Sequence, residues 1–119
     1  MTVTPRDLAA TLRRRYRAEL AREADRRAEV RGLLDRIVAE LDLPAGCRLR
    51  LIGSLQGEHW GDGSDIDLVV EGLDREAELA LWRRLSAALP VPVDLLRLEE
   101  LREGFRRRVL AEGVILGEP

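Results

Sequence analysis

The sequence lacks the residues on which several common kinds of active site depend. It contains no lysine, so all 20 basic residues are arginine. This excludes lysine-based P-loop phosphate sites, Schiff-base enzymes and Ser–Lys dyads. Cys47 and His59, the one cysteine and the one histidine, cannot build a structural zinc site or an internal disulfide. Any metal used by this chain must therefore bind oxygen ligands, which favours Mg²⁺, Mn²⁺ or Ca²⁺.

Aromatic residues and long apolar runs are also scarce. Aromatic residues make up 3% of the 119 positions, while hydrophobic residues make up 45%, enough for one small core. A chain of this size has no room for a large second substrate domain. A net charge of −2 provides no overall attraction to nucleic acid or to an anionic membrane. Without a signal-like leader or an apolar run of about 18 residues, the chain is predicted to be cytoplasmic and free of membranes.

Residues 5 to about 42 predict one long helix. Thr4 suits its N-cap and Pro5 its first turn. Its second half has the spacing of a core helix, and its first half is mostly charged, with a looser apolar repeat. The core spacing falls on Val30, Leu34, Ile37 and Leu41, and the looser repeat on Leu8, Leu12, Tyr16 and Leu20. We therefore divide the chain into an N-terminal helical extension, residues 1–25, and a domain, residues 26–119.

The extension is predicted to be a dimerisation or partner-docking arm, with a homodimer as one outcome. Its arginine-rich stretch, residues 13–17, does not by itself predict nucleic-acid binding, and we expect no nucleic-acid partner. Residues 1–42 hold ten arginines against eight acidic residues, and Tyr16 is the one aromatic side chain there that could stack on a base.

The rest of the chain alternates between strand and helix patterns. Strands are predicted over residues 47–52, 66–70 and 91–96, with a short final strand over 114–116. Helices are predicted from Asp74 to about residue 89 and across an apolar repeat that runs from Leu98 to Val109. This order predicts an α/β (α+β) domain in which a short mixed sheet is flanked by helices.

Three aspartates are the candidate metal ligands. Asp65 and Asp67 lie two residues apart, so on a strand both side chains leave the same face, with Cα atoms about 6–7 Å apart. Two carboxylates at such a distance repel by about 2.5 kcal/mol at an effective dielectric constant of 20. Asp94, on the next predicted strand, adds to this repulsion if the two strands are neighbours. A bound Mg²⁺ ion would relieve it.

A turn directly after the first strand is the candidate phosphate site. Gly53 allows a sharp turn and a close approach to a ligand. The exposed amide groups and the Ser54 hydroxyl can face phosphate oxygens. Ser64 ends the same glycine-rich loop and is expected to set the entry into the second strand.

The two motifs together resemble a known family. Ile52-Gly53-Ser54, nine residues, and then Ser64-Asp65-Ile66-Asp67-Leu68 is similar to the signature of the DNA polymerase beta-like nucleotidyltransferases, above all the minimal nucleotidyltransferases. The segment Val93-Asp94-Leu95-Leu96 resembles their third-aspartate strand. The resemblance covers about residues 30–116.

The resemblance implies roles for these residues. Gly53 and Ser54 would hold the β- and γ-phosphates of a nucleoside triphosphate, with ATP as the first candidate. Asp65 and Asp67 would bind two Mg²⁺ ions, with Mn²⁺ as the alternative, and Asp94 would complete the site and help to accept a proton. The reaction implied is the transfer of a nucleoside monophosphate, AMP in the first instance, to a hydroxyl. Minimal members often act as antitoxins that adenylylate a helical HEPN toxin, so a HEPN-like partner is implied.

The loop departs from the family in its charge. Residues 53–64 contain no arginine or lysine, and Glu58 and Asp62 add negative charge where a triphosphate would bind. Three explanations stay open: the metals compensate, an arginine comes from elsewhere in the chain or from a partner, or the site is inactive. In the last case the chain would be a binding module or a sensor of nucleoside triphosphate. His59 and Trp60 receive no role, and a Ser–His–Asp hydrolase is disfavoured because the G-x-S-x-G elbow is missing.

Overall fold

The computed structural model describes residues 4–53 and 65–117. Helix α1 spans Pro5–Glu40, strand β1 Arg48–Ile52, strand β2 Ile66–Glu71, helix α2 Arg75–Ala88 and strand β3 Val93–Arg97. A short 3₁₀ turn, Leu98–Glu100, then leads into helix α3, Glu103–Glu112, and strand β4, Val114–Gly117. The predicted α/β class, the mixed sheet and the long N-terminal helix are confirmed.

The long helix α1 begins where its capping signals predict. The Thr4 side chain accepts a hydrogen bond from the Asp7 backbone N–H, and the Asp7 side chain accepts one from Thr4 in return. This reciprocal capping satisfies amide groups that the first helical turn leaves without partners. The helix ends at Glu40, two residues before the predicted end. It is continuous across residue 26, where the sequence suggested a division of the chain.

The four strands form one mixed sheet in the order β3-β2-β1-β4. Strand β1 pairs with β2 and with β4 in antiparallel orientation, whereas β2 and β3 are parallel. The crossover between the parallel strands is made by α2, whose N-cap Asp74 accepts a hydrogen bond from the Ala77 backbone N–H, as predicted. This connection places β2 next to β3, and the pairing of these two strands determines the geometry of the candidate site.

One face of the sheet is closed by an apolar core. The side chains that point to this face are almost fully buried under α1 and α2. The buried residues are Val30, Leu34 and Val38 of α1, Leu81 and Leu85 of α2, and Leu49, Leu51, Ile66, Leu68, Val70, Val93 and Leu95 of the strands. Cys47 belongs to the same core, and burial raises the pKa of its thiol.

The opposite face is only partly covered. A small cluster formed by Val69, Leu98 and Val109 attaches α3 to this side of the sheet. Arg50, which the alternation of β1 would place in solvent, is 5% exposed. Its Nη1 donates a 2.8 Å hydrogen bond to Glu71 Oε1 on the paired strand, which compensates for the burial of its charge.

Three predicted boundaries or orientations differ in the structure. Strand β3 starts at Val93 rather than at residue 91, and the Pro92 carbonyl accepts a hydrogen bond from Ile66 N. The predicted last helix is divided, because Arg106 donates hydrogen bonds to the carbonyl groups of Leu98, Glu99 and Leu101 and so holds a 3₁₀ turn against α3. The apolar spacing of α2 predicts that Trp82 lies on its inner side, but this side chain is 40% exposed and its indole N–H donates a hydrogen bond to the Val93 carbonyl.

None of the helices in the described part of the chain is both long and apolar enough to cross a membrane. The N-terminal half of α1 leaves the sheet and projects from it, which accounts for a longest dimension of 67 Å against 31 and 19 Å in the other directions. We call residues 5–25 of α1 the arm.

Candidate active site

The β2–β3 register places two of the predicted aspartates side by side. Asp67 of β2 is the Cα partner of Asp94 of β3. Partners in register point to the same face of a sheet, and here that face is the one opposite the apolar core. Asp65 lies immediately before β2 rather than on it, because the strand starts at Ile66. The sequence alone left open whether these strands are neighbours, and the parallel pairing decides it.

Gly53 turns the chain directly beside Asp67. Its φ angle of +77° lies in the left-handed region, which other residues rarely adopt. A Cβ atom added at this glycine would lie 2.6 Å from Asp67 Oδ2, closer than a real contact allows. The glycine is therefore needed both for the turn and for the close approach of the backbone to the carboxylate. The sharp bend expected at this position is present.

Electrostatics distinguish Asp67 from its neighbours. Burial raises the pKa of Asp67 above its ordinary value, and the negative charges of Asp94 and then of Asp65 raise it further. Two of the three causes are the neighbouring carboxylates, which is the kind of repulsion that the spacing of these aspartates predicts. A cation bound between them would reverse this effect by favouring the ionised forms.

The aspartates line one side of a cleft of about 400 Å³ between the sheet and α3. Asp67, Asp94 and Gly53 form the polar side, and Leu96 and Phe105 contribute apolar surface. Helix α3 adds two charged residues to which the sequence assigned no role in the site, Arg108 and Glu112. The sequence offered no signal for their role, since Arg108 is the last of three consecutive arginines and only the packing of α3 distinguishes it from the other two.

The donor chemistry of this cleft fits a hard divalent cation. Carboxylate oxygens from adjacent strands are the ligands that Mg²⁺ prefers, and phosphate oxygens and water complete its usual shell. Asp67 and Asp94, with Asp65 beside them, are the residues that would hold it. Among the described residues, no group of three or more acidic, histidine or cysteine side chains is already arranged around one point. The carboxylates therefore flank the cleft without forming a closed cage.

Two predicted ligands lie outside the described residues. Ser54 and Ser64, together with Glu58, His59, Trp60 and Asp62, belong to residues 54–64. The predicted role of Ser54 in phosphate binding and that of Ser64 in setting the strand entry both stay predictions.

The chain was compared with protein families, with characterised proteins and with solved structures. No family model matches it, and no characterised protein matches it significantly. Solved structures do. A toxin–antitoxin structure with AMP-PNP has a TM-score of 0.59 and 25% identity, with 74% of this chain and 73% of the other covered. A mutant of the toxin–antitoxin complex MntA–HepT has a TM-score of 0.54 and 28% identity, with 72% and 70% covered.

A third similar structure supports the fold. It is a complex of a tri-AMPylated HEPN toxin from Shewanella oneidensis with an MNT antitoxin, at a TM-score of 0.54 and 24% identity, with 78% of this chain and 73% of the other covered. In each comparison more than two thirds of both chains is covered, so the likeness extends well beyond a single motif. This agrees with the resemblance of the two sequence motifs. The chain thus has the fold of a minimal nucleotidyltransferase.

Proposed function

We propose that this chain is a metal-dependent nucleotidyltransferase of the antitoxin type, which transfers AMP from ATP to a hydroxyl group on a helical, HEPN-like partner protein. The observation that carries the proposal is the register of Asp67 with Asp94 beside the bend at Gly53. The similarity to toxin–antitoxin structures, one of them with AMP-PNP, supports the choice of nucleotide and partner.

The reaction proposed is an in-line displacement at the α-phosphate. The hydroxyl oxygen of the acceptor forms a bond to the α-phosphorus. The bond between the α-phosphorus and the oxygen that bridges the α- and β-phosphates breaks, and pyrophosphate leaves with that oxygen. Two bound Mg²⁺ ions would supply charge neutralisation for the attacking and leaving oxygens. Asp65 and Asp67 would hold the cations, Asp94 would orient the acceptor and receive its proton, and the Gly53 turn would bring backbone amides toward the phosphates.

The proposed acceptor lies on a partner that approaches the open side of the cleft. Leu96 and Phe105, which are 36% and 40% exposed, leave an apolar border on the open side of the cleft. A partner that approaches over this border would bring a hydroxyl group to Asp94 while it excludes water from the reacting atoms. The similar complex from Shewanella oneidensis contains a HEPN toxin that is tri-AMPylated.

The experiment is transfer of label from ATP marked at the α-phosphate, in the presence of Mg²⁺, to a purified HEPN-like protein. Asp67→Asn and Asp94→Asn should each reduce the labelling rate by at least about a hundredfold, the scale typical for the loss of a catalytic group. Asp42→Asn is the matched control, since it removes an equal charge from an exposed residue outside the cleft. Labelling that survives in the double variant Asp65→Asn/Asp67→Asn would refute the proposal.

A second candidate function, that of a binding module, is favoured by the arm. Leu8, Leu12, Tyr16 and Leu20 are each between 46% and 63% exposed. Leu12, Tyr16 and Leu20 precede the buried Val30, Leu34 and Val38 by 18 residues each, five turns of an α-helix. The apolar side of the arm therefore continues the core side of α1 past the domain, which is what a surface for a helical partner requires.

The charges of the arm leave both kinds of partner open. On a helical projection, arginines flank the stripe on both sides, with Arg6, Arg13 and Arg17 on one and Arg15, Arg22 and Arg26 on the other. Glu19 and Glu23 fall within the stripe on the same projection, so its charges are compatible with a second arm as well as with a helical partner. The two candidate functions are compatible if the arm holds the protein that the cleft modifies.

Calorimetry with ATP and Mg²⁺ separates the functions. Binding followed by pyrophosphate release on addition of the partner supports the transferase. Binding of ATP without release supports a sensor of nucleoside triphosphate. Partner binding in the absence of any nucleotide binding supports the module alone.

A further inference from the structure

The proposed phosphate site needs a cation that its own loop does not contain. Residues 53–64 have no arginine or lysine but include Glu58 and Asp62. The described cleft residues add the carboxylates of Asp67, Asp94 and Glu112. A triphosphate carries close to four negative charges, which two divalent cations only just balance. The carboxylates that bind those cations would therefore leave the loaded site strongly negative.

Arg108 is the one cation among the described residues that line the cleft. Its Nη2 lies 3.8 Å from Glu112 Oε2, one helical turn further along α3, and its side chain is 73% exposed. A distance of this size at an exposed position makes a weak ion pair. The guanidinium group is thus mobile enough to leave Glu112 for a stronger acceptor at little cost.

The two arginines before it have other roles. Arg106 donates its hydrogen bonds to three backbone carbonyl groups of the 3₁₀ turn. Arg107 is paired with Glu103 at an exposed position and does not line the cleft. Helical periodicity turns consecutive residues about 100° apart, so only the third arginine of the run faces the aspartates.

We propose that Arg108 binds the phosphate chain of the nucleoside triphosphate and replaces the basic residue that the loop lacks. This inference rests on the proposed function and identifies a residue that the loop motif does not include. The guanidinium group exchanges its weak contact with Glu112 for charge-assisted hydrogen bonds to phosphate oxygens, for which its planar, forked geometry is well suited. Because Phe105 lies one turn before Arg108 on the same side of α3, the phosphate chain and the apolar part of the nucleotide can both contact this helix.

The test measures the affinity of the full chain for adenosine, AMP, ADP and ATP with Mg²⁺ by calorimetry. Arg108→Gln should weaken ATP binding by about ten- to a hundredfold, the range expected for hydrogen bonds to a charged group, and should leave adenosine binding unchanged. The loss should grow with the number of phosphates. Arg108→Lys should recover part of it, because the charge stays while the forked geometry is lost. Arg107→Gln is the matched control and should bind all four ligands like the wild type.

The Glu112→Gln variant should change the affinity for ATP in the opposite direction. It releases Arg108 from its ion pair and removes one carboxylate from the cleft, so ATP binding should become several-fold tighter. In the double variant Arg108→Gln/Glu112→Gln the gain should shrink, because part of it acts through the arginine.

Two results would overturn the inference. One is an Arg108→Gln variant that binds ATP as the wild type does. The other is an equal loss for adenosine and ATP, which would assign Arg108 to the shape of the cleft rather than to the phosphates. A wild-type chain that binds no nucleotide would instead remove the proposed function itself, so the two failures are distinguishable. Circular dichroism of each variant checks that the fold is retained.

Discussion

The two faces of the sheet have opposite characters although the same strands build both. On one face, side chains of β1, β2 and β3 are buried under α1 and α2 in a continuous apolar core. On the other face, the same strands present Arg50 with Glu71 and Asp67 with Asp94, and this face is partly covered by the 3₁₀ turn and α3. Because side chains alternate along a strand, neighbouring residues point to opposite faces. One residue therefore packs in the core, while the next faces the candidate site.

Leu95 and Leu96 of β3 give the sharpest test of this separation, since one leucine points to each face. Leu95 is 8% exposed in the core, whereas Leu96 is 36% exposed beside the cleft. Leu95→Ala should lower the free energy of unfolding by about 2–4 kcal/mol, and Leu96→Ala by less than about 1 kcal/mol. Denaturant unfolding of the two variants measures the difference. Equal losses would show that the cleft face also carries core packing.

Gly53 and Gly72 allow a second comparison, because Gly53 lies in the candidate active site and Gly72 lies outside it. Both have positive φ angles, +77° and +88°, and a Cβ at either would collide, with Asp67 Oδ2 at the first and with the Gly46 carbonyl at the second. Alanine at either position should cost about 1–3 kcal/mol of stability. Only Gly53→Ala should weaken binding of ATP and Mg²⁺ as well. A Gly72→Ala variant with the same binding defect would show that the defect follows from lost stability.

The carboxylates of the open face predict a pH dependence in metal-free protein. The raised pKa of folded Asp67 means that its protonated form stabilises the fold; this contribution is complete below the unfolded pKa, near 3.8, and is lost as the pH rises through the folded pKa. Asp67→Asn should therefore gain stability relative to the wild type as the pH rises from below 4 to neutral. Thermal unfolding in EDTA across this range measures the gain.

Asp94→Asn supplies the control for that titration. Removal of the Asp94 charge takes away one of the causes of the shift, so the pH dependence that Asp67 contributes should become smaller. A stability difference between Asp67→Asn and the wild type that stays constant with pH would contradict the predicted repulsion.

Substitutions in the arm should have the smallest effect on the free energy of unfolding. Leu12 and Tyr16 are 54% and 63% exposed, so the variant Leu12→Ser/Tyr16→Ser should unfold within about 0.5 kcal/mol of the wild type. Its binding to the proposed HEPN-like partner should nevertheless be lost, while a Leu79→Ser variant, which changes a 46% exposed leucine on α2, should bind normally. Light scattering of the wild type and this variant also tests the predicted homodimer. Unchanged partner binding would exclude the arm as the docking surface.

Much of the fold followed from local pattern. The capping pair at Thr4 and Asp7, the cap at Asp74 and the apolar spacing of Val30 and Leu34 all act within a few residues, so they could be interpreted without knowledge of the rest of the chain. Arg50 shows where this approach fails. The alternation of β1 predicts exposure, but α3 and the ion pair with Glu71 bury the side chain, and both come from distant parts of the chain.

The sequence by itself determined the chemical types available to this protein: oxygen ligands instead of nitrogen or sulfur, arginine instead of lysine, and aspartates at strand spacing beside a glycine bend. Only the tertiary structure decided which of these residues meet. The parallel pairing of β2 with β3 places Asp94 beside Asp67, and the packing of α3 brings Arg108 to the same cleft. The reason is physical, because a pattern along one element specifies a face, whereas the neighbour of that face is selected by long-range packing.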